Sequence, residues 1–375
     1  MTMWLVIMLT FMGLTALALI YLCGRLAGLS FVGKIARGGR LRGWFFSAGI
    51  VLASFGIAAA CLNLVNAVVC ALYFAMTWLA IDVLSRLCRL FFHKAFSSDI
   101  IGGIAIVSAL LLLWIGWYLD HHVSKTVYTL TTAKKVPDMR IVMFADAHVG
   151  TTFNAAGFAD RISDMRAEDP DIVFVVGDFV DDDTSKEDMV AACAALGTLK
   201  TKYGVYFVLG NHDKGYYASA RRGFSENDLI AELEKNKIAV LRDNTVLIDD
   251  AFYVVGRRDL SEVKERTGHR QSMAELVKGL DSDRYIIALD HQPADYAAQA
   301  KSGADLILSG HTHGGQLLPF NRVGKWIGAN DMVYGHEKRG NTDFIVTSGI
   351  SDWAIKFKTG TGSEFVVIDV AAKKD

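Results

Sequence analysis

Beyond residue 123 the chain holds a single cysteine, Cys193, so that part can form no internal disulfide. The other cysteines, Cys23, Cys61, Cys70 and Cys88, lie in or beside apolar stretches nearer the N-terminus. That distribution fits either side of a membrane. Excess charge is lacking as well. With 39 Lys and Arg against 40 Asp and Glu, the net charge is −1, and nothing in that balance suggests a nucleic-acid partner. No basic residue precedes the first apolar run, which speaks against a cleaved export signal, whose leading segment is positive. There is no internal repeat and no low-complexity tract.

What is present falls into two unlike parts. Residues 3–22 form an uncharged apolar run long enough to cross a bilayer core, which takes about 20 helical residues. Residues 44–84 form a second apolar stretch of about twice that length. Asn63 and Asn66 divide it and suit a tight turn between two antiparallel helices. Asp82 falls near the far end, where a carboxylate is expected to reach water. Residues 100–119 form the last run, and its Trp114, Trp117 and Tyr118 suit the headgroup interface. The spacing therefore predicts a membrane segment over residues 1–123 with about four transmembrane helices.

Loop charge gives that segment a direction. Residues 24–43 carry Arg25, Lys34, Arg37, Arg40 and Arg42 without an acid, and residues 85–98 carry Arg86, Arg89 and Lys94. With four spans both loops share one side, which the positive-inside bias makes cytoplasmic. The domain that follows is then expected outside, in a multi-pass protein of the cell membrane. Lys125, Lys134 and Lys135 pull weakly the other way. A single crossing by residues 44–84 would reverse the assignment.

Residues 124–375 have the mixed composition of a folded enzyme domain. Short β-rich runs at 141–145, 172–176, 205–209, 286–289 and 306–308 alternate with helical stretches at 155–167, 186–196, 225–236 and 294–301. That alternation indicates an α/β domain. Further strand candidates at 246–248, 252–255, 344–347 and 365–368 supply a second sheet.

The polar residues gather where strands end. Asp146 and His148 follow the first strand, Asp178 the second, and Asn211, His212 and Asp213 the third. His291 follows a later strand, and His311 and His313 the next. Open α/β sheets bind ligands at the carboxyl ends of their strands, so five strand ends deliver these groups to one edge. Seven histidines follow residue 123, and only His269 and His336 lie outside these loops. One histidine alone is more often a satisfied core or surface group. Five converging with carboxylates point to divalent metal: imidazole and oxygen donors without thiolate suit Mn, Fe, Zn or Co.

The motifs Asp146-Ala-His148, Gly177-Asp178-Phe-Val-Asp181, Gly210-Asn211-His212-Asp213, His291-Gln-Pro293 and Gly310-His311-Thr-His313-Gly-Gly-Gln316 resemble, in order, those of calcineurin-like metallophosphoesterases. More narrowly, the chain is similar to bacterial membrane-attached phosphodiesterases whose last motif reads GHTHGGQ. The resemblance covers residues 140–369 and implies a two-sheet αββα sandwich. It implies one divalent transition-metal ion held by Asp146, His148, Asp178 and His313, and a second held by Asp178, Asn211, His291 and His311. Asp178 would bridge, offsetting the repulsion of two cations about 3.5–4 Å apart. A water activated between the ions would attack phosphorus. His212 would donate to the leaving group or to the developing phosphoryl charge, and Asp181 would hold the His212 ring and raise its pKa. Asp181 as a solvated acid in the run 181–183 is the bland alternative. Gly314 and Gly315 are expected to let the backbone pass close to the metals.

One departure concerns the C-terminal end. Relatives often carry an arginine after the Ser-Gly stretch, whereas here Thr347-Ser348-Gly349 leads to Lys356 and Lys358. Lysine is a point charge without a bidentate fork, so phosphate grip and substrate choice are where the chain would differ. A solvated strand edge is the commoner fate of such lysines.

The reading is a membrane-anchored hydrolase cleaving a phosphodiester or pyrophosphate, with a lipid-linked substrate suggested by the bilayer anchor. Phosphomonoester hydrolysis uses the same metal pair and is the alternative within enzymes. A non-catalytic, metal-dependent binder of a phosphorylated ligand is the alternative outside them. Loss of His212 or of a ligand would favour that binder, and all are present.

Overall fold

A computed structural model of the chain describes residues 2–217, 219–264 and 268–373, with side chains from residue 9 onward. It divides into two compact units, residues 1–117 with 354–356, and residues 118–353 with 357–375.

The first unit is helical. Its elements are α1 (Thr2–Ala27), α2 (Ser30–Ile35), α3 (Arg40–Cys61), α4 (Leu64–Phe92) and the larger part of α5 (Ser98–His121). Four of them, α1 from Leu9 onward, α3, α4 and α5, are long and apolar enough to cross a membrane. At about 1.5 Å per residue, the 22 residues of α3 are long enough to cross the hydrocarbon core. Large apolar side chains such as Leu52, Ile57, Leu110 and Leu111 point outward, as lipid-facing positions do.

The long apolar run divides where the two asparagines stand. Asn63 caps α4, its side chain accepting from the Asn66 backbone N–H at 2.8 Å. Asn66 is fully buried; its amide nitrogen donates to the Ala354 carbonyl at 2.9 Å and its oxygen accepts from the Lys356 N–H at 2.8 Å. Asp82 does not reach water as expected. It is buried, with Tyr21 donating to it at 2.6 Å and Arg25 paired beside it. A carboxylate among apolar helices needs such partners to offset its lost hydration.

The second unit holds two six-stranded sheets. Its strands are β1 (Ser124–Thr132), β2 (Met139–Phe144), β3 (Ile172–Val176), β4 (Val205–Val208), β5 (Ala239–Leu241), β6 (Asn244–Ile248), β7 (Phe252–Gly256), β8 (Tyr285–Leu289), β9 (Leu306–Ser309), β10 (Gly335–Arg339), β11 (Thr342–Val346) and β12 (Glu364–Ala372). The first sheet runs β1-β12-β2-β3-β4-β5 and the second β10-β11-β9-β8-β7-β6. The strands that end at the polar motifs are parallel to their motif-bearing neighbours: β2, β3 and β4 in the first sheet, and β8 and β9 in the second. Their carboxyl ends therefore emerge together.

The strand period of two sets the layers. Ile141 and Met143 of β2 face inward and join Phe252, Val254, Ile287 and Leu308 in a core between the sheets. Val142 and Phe144, on the other face, pack with Phe158, Ile162, Met189 and Leu196 from α6 (Ala155–Arg166) and α7 (Lys186–Leu196). α8 (Glu226–Lys235) adds Leu229 and Leu233 to the same layer. The outer face of the second sheet packs Ile286, Ile307 and Phe344 under Tyr296 and Met273. This is the four-layer αββα sandwich. The helix expected at 294–301 is only Tyr296–Gln299, and β1, β5 and β10 were not foreseen.

Candidate metal centre

Two trios of buried side chains meet at the strand ends. Asp146, His148 and His313 form one, and Asp178, His291 and His311 the other; in each, the donor atoms lie within 4.8 Å of one another. Asp178 reaches both: its Oδ2 stands 3.1 Å from His291 Nε2 and 3.8 Å from His148 Nε2. His313 Nε2 lies 3.7 Å from Asp146 Oδ1. Asn211 donates its amide nitrogen to the Tyr216 hydroxyl at 2.9 Å, which leaves its buried side-chain oxygen without a hydrogen-bond partner. Six of the seven residues expected as ligands thus fall into the two trios.

The donors fit cations. Asp146, His148 and His291 are completely buried and Asp178 nearly so, a placement that is costly for carboxylates unless opposite charge meets them. Among the described residues, the buried atoms His148 Nε2, His291 Nε2 and Asn211 Oδ1 have no hydrogen-bond partner. The other nitrogen of His291 is held by the Val176 carbonyl at 2.7 Å, the arrangement that leaves Nε2 free to coordinate. Two divalent ions of the Mn, Fe, Zn or Co type match this nitrogen and oxygen set.

The backbone is strained at the same positions. Asp146, His148, Asp178, His311 and His313 have φ of 56°, 37°, 54°, 71° and 48°. Non-glycine residues rarely adopt that region, and such outliers collect at functional sites. Gly177 follows the rule from the other direction: a Cβ there would stand 2.5 Å from His291 Nδ1.

The charges of the site perturb one another. Burial pulls the His148 imidazole down, but the hydrogen bond to Asp181 and the charges of Asp178 and Asp146 outweigh it and lift it to about 9. Burial opposes ionisation of Asp178, yet the imidazoles of His291, His212 and His148 hold its carboxyl well below the usual range. His212 goes the other way. Burial, only partly countered by Asp178, depresses it to about 4.

These neighbours revise two expected roles. Asp181 is nearly buried, not solvated, and stands 3.3 Å from His148 Nδ1. It orients a candidate ligand instead of holding the His212 ring. The ring of His212 sits between Tyr216 and Trp353, with centroids at 5.1 and 5.3 Å. Lys358 is no solvated edge residue. It is completely buried, and its Nζ donates to the carbonyls of Ser348 at 2.7 Å and Ser351 at 3.2 Å.

Two further carboxylates support the site, Asp213 from within the third motif and Asp352 from outside all of them. Asp213 accepts backbone N–H donors from Asp178, Phe179, Val180 and Gly210, at 2.7–3.1 Å, and so ties the second and third loops together. Asp352 lies 2.9 Å from His313 Nδ1; it is separated from any motif, so nothing in the sequence marks it. Gly315 is needed for a different approach from the one expected: a Cβ there would stand 1.9 Å from the Asn321 carbonyl oxygen of the following loop.

A two-sheet α/β unit with a candidate dimetal centre at its strand ends thus stands in a chain that also carries four helices long and apolar enough to cross a membrane. Comparison with known proteins gives the family. Residues 139–315 match the calcineurin-like phosphoesterase family model. An uncharacterized metallophosphoesterase of Aquifex aeolicus is 34% identical over 199 residues, 51% of this chain and 70% of that protein. One of Campylobacter jejuni is 31% identical over 240 residues, 63% of this chain and 60% of that protein. The bovine transmembrane protein with metallophosphoesterase domain is 30% identical over 247 residues, 62% of this chain and 53% of that protein. The matched region thus spans little more than half the length of the last two relatives. The chain belongs to the calcineurin-like phosphoesterase family.

Proposed function

We propose that this protein hydrolyses a phosphodiester or pyrophosphate bond in a lipid-linked substrate, with its catalytic unit outside the cytoplasm. The observation that carries the reading is the pair of buried donor trios joined through Asp178. In this reading Asp146, His148, Asp178 and His313 hold one divalent ion, and Asp178, Asn211, His291 and His311 the other. Such ions, when bound, would supply Lewis acidity toward phosphoryl oxygens and lower the pKa of water, with Asp178 available to both.

The residues around the donors divide the remaining work. Asp181 and Val176 fix the ring orientations of His148 and His291. His212 stays neutral near pH 7, since burial depresses it and added cations depress it further. A neutral imidazole donates a hydrogen bond to charge growing on the phosphoryl group; it does not hand over a proton with ease. That supports a substrate whose leaving group needs little protonation, as the phosphate of a pyrophosphate does.

The rim supports a substrate with an apolar part. Tyr216 and Trp353, which flank His212, are each about half exposed, and Phe320, Trp326 and Ile327 stand exposed on the loop after the GHTHGGQ motif. Aromatic and aliphatic groups so placed suit an amphiphile whose phosphate enters the site. The extracytoplasmic placement is supported by the basic residues of loops 24–43 and 85–98.

The test is a substrate panel on the full chain in nanodiscs with Mn. A lipid pyrophosphate should be turned over faster than bis-p-nitrophenyl phosphate, and both faster than p-nitrophenyl phosphate. Preference for the monoester would overturn the reading.

A further inference from the structure

The second unit carries large apolar side chains on its surface, on the loop that follows Gln316. Trp326 and Ile327 are each 72% exposed and Phe320 60%, more than the 54% of Leu110 on the outer face of membrane-length α5. Leu318 is exposed as well. Successive turns keep these groups together: the Val323 N–H donates to the Phe320 carbonyl, the Trp326 N–H to the Arg322 carbonyl and the Ile327 N–H to the Val323 carbonyl, each at 3.0 Å. Residues 316–330 contain two bases, Arg322 and Lys325, both exposed, and no acid.

The same loop is tied to the stretch that holds the end of α5. The last turn of α5, residues 118–121, belongs to the second unit. There the Ser363 N–H donates to the Leu119 carbonyl at 2.8 Å and Ser363 Oγ to the Asp120 carbonyl at 2.7 Å. Slightly earlier in the chain, the Thr359 N–H donates to the Gln316 carbonyl at 2.9 Å, and Thr359 Oγ1 accepts from the Leu318 N–H at 2.8 Å. The chain from Thr359 to Ser363 can extend at most about 14 Å, so the base of the loop is no farther than that from the residue that binds the end of α5. With 24 residues α5 is about 36 Å long, only a few Å more than the roughly 30 Å hydrocarbon core, so a spanning α5 ends in the headgroup layer.

We infer that the loop from Leu318 to Ile327 docks on the bilayer that α5 crosses, with Phe320, Trp326 and Ile327 entering the lipid interface and Arg322 and Lys325 meeting anionic headgroups. Large apolar groups left in water are unfavourable, and a contiguous exposed set marks a contact surface. Trp beside Arg and Lys is the composition of interfacial segments, in which the aromatic ring sits at headgroup level and the basic groups stay in water. A bilayer is the occupant because the chain itself brings one to the end of α5. The loop begins three residues after His313, so docking holds that edge of the candidate centre near the layer where lipid phosphates lie. This deepens the lipid-linked substrate proposed above, but its test does not depend on turnover.

The test is photocrosslinking of the full chain in nanodiscs of phosphatidylcholine and phosphatidylglycerol, with p-benzoylphenylalanine placed singly at Phe320, Trp326, Leu110 or Leu247 and the adducts read by mass spectrometry. Leu247 is an exposed apolar residue of β6, outside the loop. Lipid adducts are expected at Phe320, Trp326 and Leu110 and not at Leu247. Arg322→Gln and Lys325→Gln should each lower the enrichment of phosphatidylglycerol in the Trp326 adducts, by up to about 5-fold. Adducts at Leu110 without any at Phe320 and Trp326 overturn the inference, as do adducts to a second copy of the chain or equal lipid yield at Leu247. Unchanged enrichment in both charge variants overturns the headgroup contact. No lipid adduct at Leu110 would mean that α5 does not span, which removes the ground of the inference. Lipid adducts at the loop in a chain that turns over no lipid-linked substrate would leave this inference standing and overturn the proposed function.

Discussion

The Asn211 amide nitrogen donates to the Tyr216 hydroxyl at 2.9 Å, and this bond leaves the Asn211 oxygen buried, without a hydrogen-bond partner and available as a metal donor. Because amide nitrogen and oxygen are nearly the same size, only such a partner decides which one faces a cation. Tyr216→Phe removes the decision without removing the ring against His212. It should weaken the ion held near Asp178, His291 and His311 by roughly 10-fold, the low end for loss of an orienting partner. Chelator competition measures this, and unchanged affinity would contradict the assignment of Asn211.

Asp178 and His212 should separate binding from turnover. Asp178→Asn removes the carboxylate shared by both groups, so metal and activity should be lost together. His212→Ala should keep both ions and lower turnover by roughly 10²–10⁴, the usual weight of a positioned donor. Since His212 is depressed to about 4, the loss should be similar for good and poor leaving groups. A loss that grows steeply with leaving-group basicity would show that His212 hands over a proton.

The metal-free protein should lose stability as pH rises. His148 is lifted to about 9 on folding and His291 well above its ordinary value. A histidine raised in this way contributes fully below its unfolded pKa, about 6.5, and the contribution fades as pH climbs through the folded value. The thermal midpoint of the chelator-treated chain should therefore fall by several degrees between pH 7 and 9.5. Saturation with metal should abolish that fall, because ions take the place of the protons. A metal-free midpoint that rises over this range would contradict the ion pairs described.

The sequence showed the site more fully than the fold around it. Strand ends made the donors legible, because a residue directly after an apolar run such as 172–176 has one place to go. Strand β10, Gly-His-Glu-Lys-Arg, was not legible, since an edge strand with one paired side has no apolar face to declare it. β1 alternates apolar and polar residues but follows α5 after only two residues, and no turn signal sets it off as a strand. Asp181 was expected beside His212, but spacing puts it near both His148 and His212, and the 3.3 Å contact is with His148. Lys358 reads as a surface lysine until the carbonyls of Ser348 and Ser351 are seen to enclose its ammonium.

Orientation in the membrane follows from counting helices. With four spans and basic loops at 24–43 and 85–98, an alkaline phosphatase joined after residue 375 should be active, and a fluorescent protein of the cytosolic-folding type should stay dark. The reverse pattern would put the catalytic unit in the cytoplasm and its substrate among cytoplasmic lipid precursors.

The central claim is that Asp146, His148, Asp178, Asn211, His291, His311 and His313 form a two-ion centre. Elemental analysis of the purified full chain, stripped and then reconstituted with Mn, tests it most directly. The account predicts about two ions per folded chain, falling together in Asp178→Asn. A folded chain that retains none, or only one, under saturating metal would contradict it.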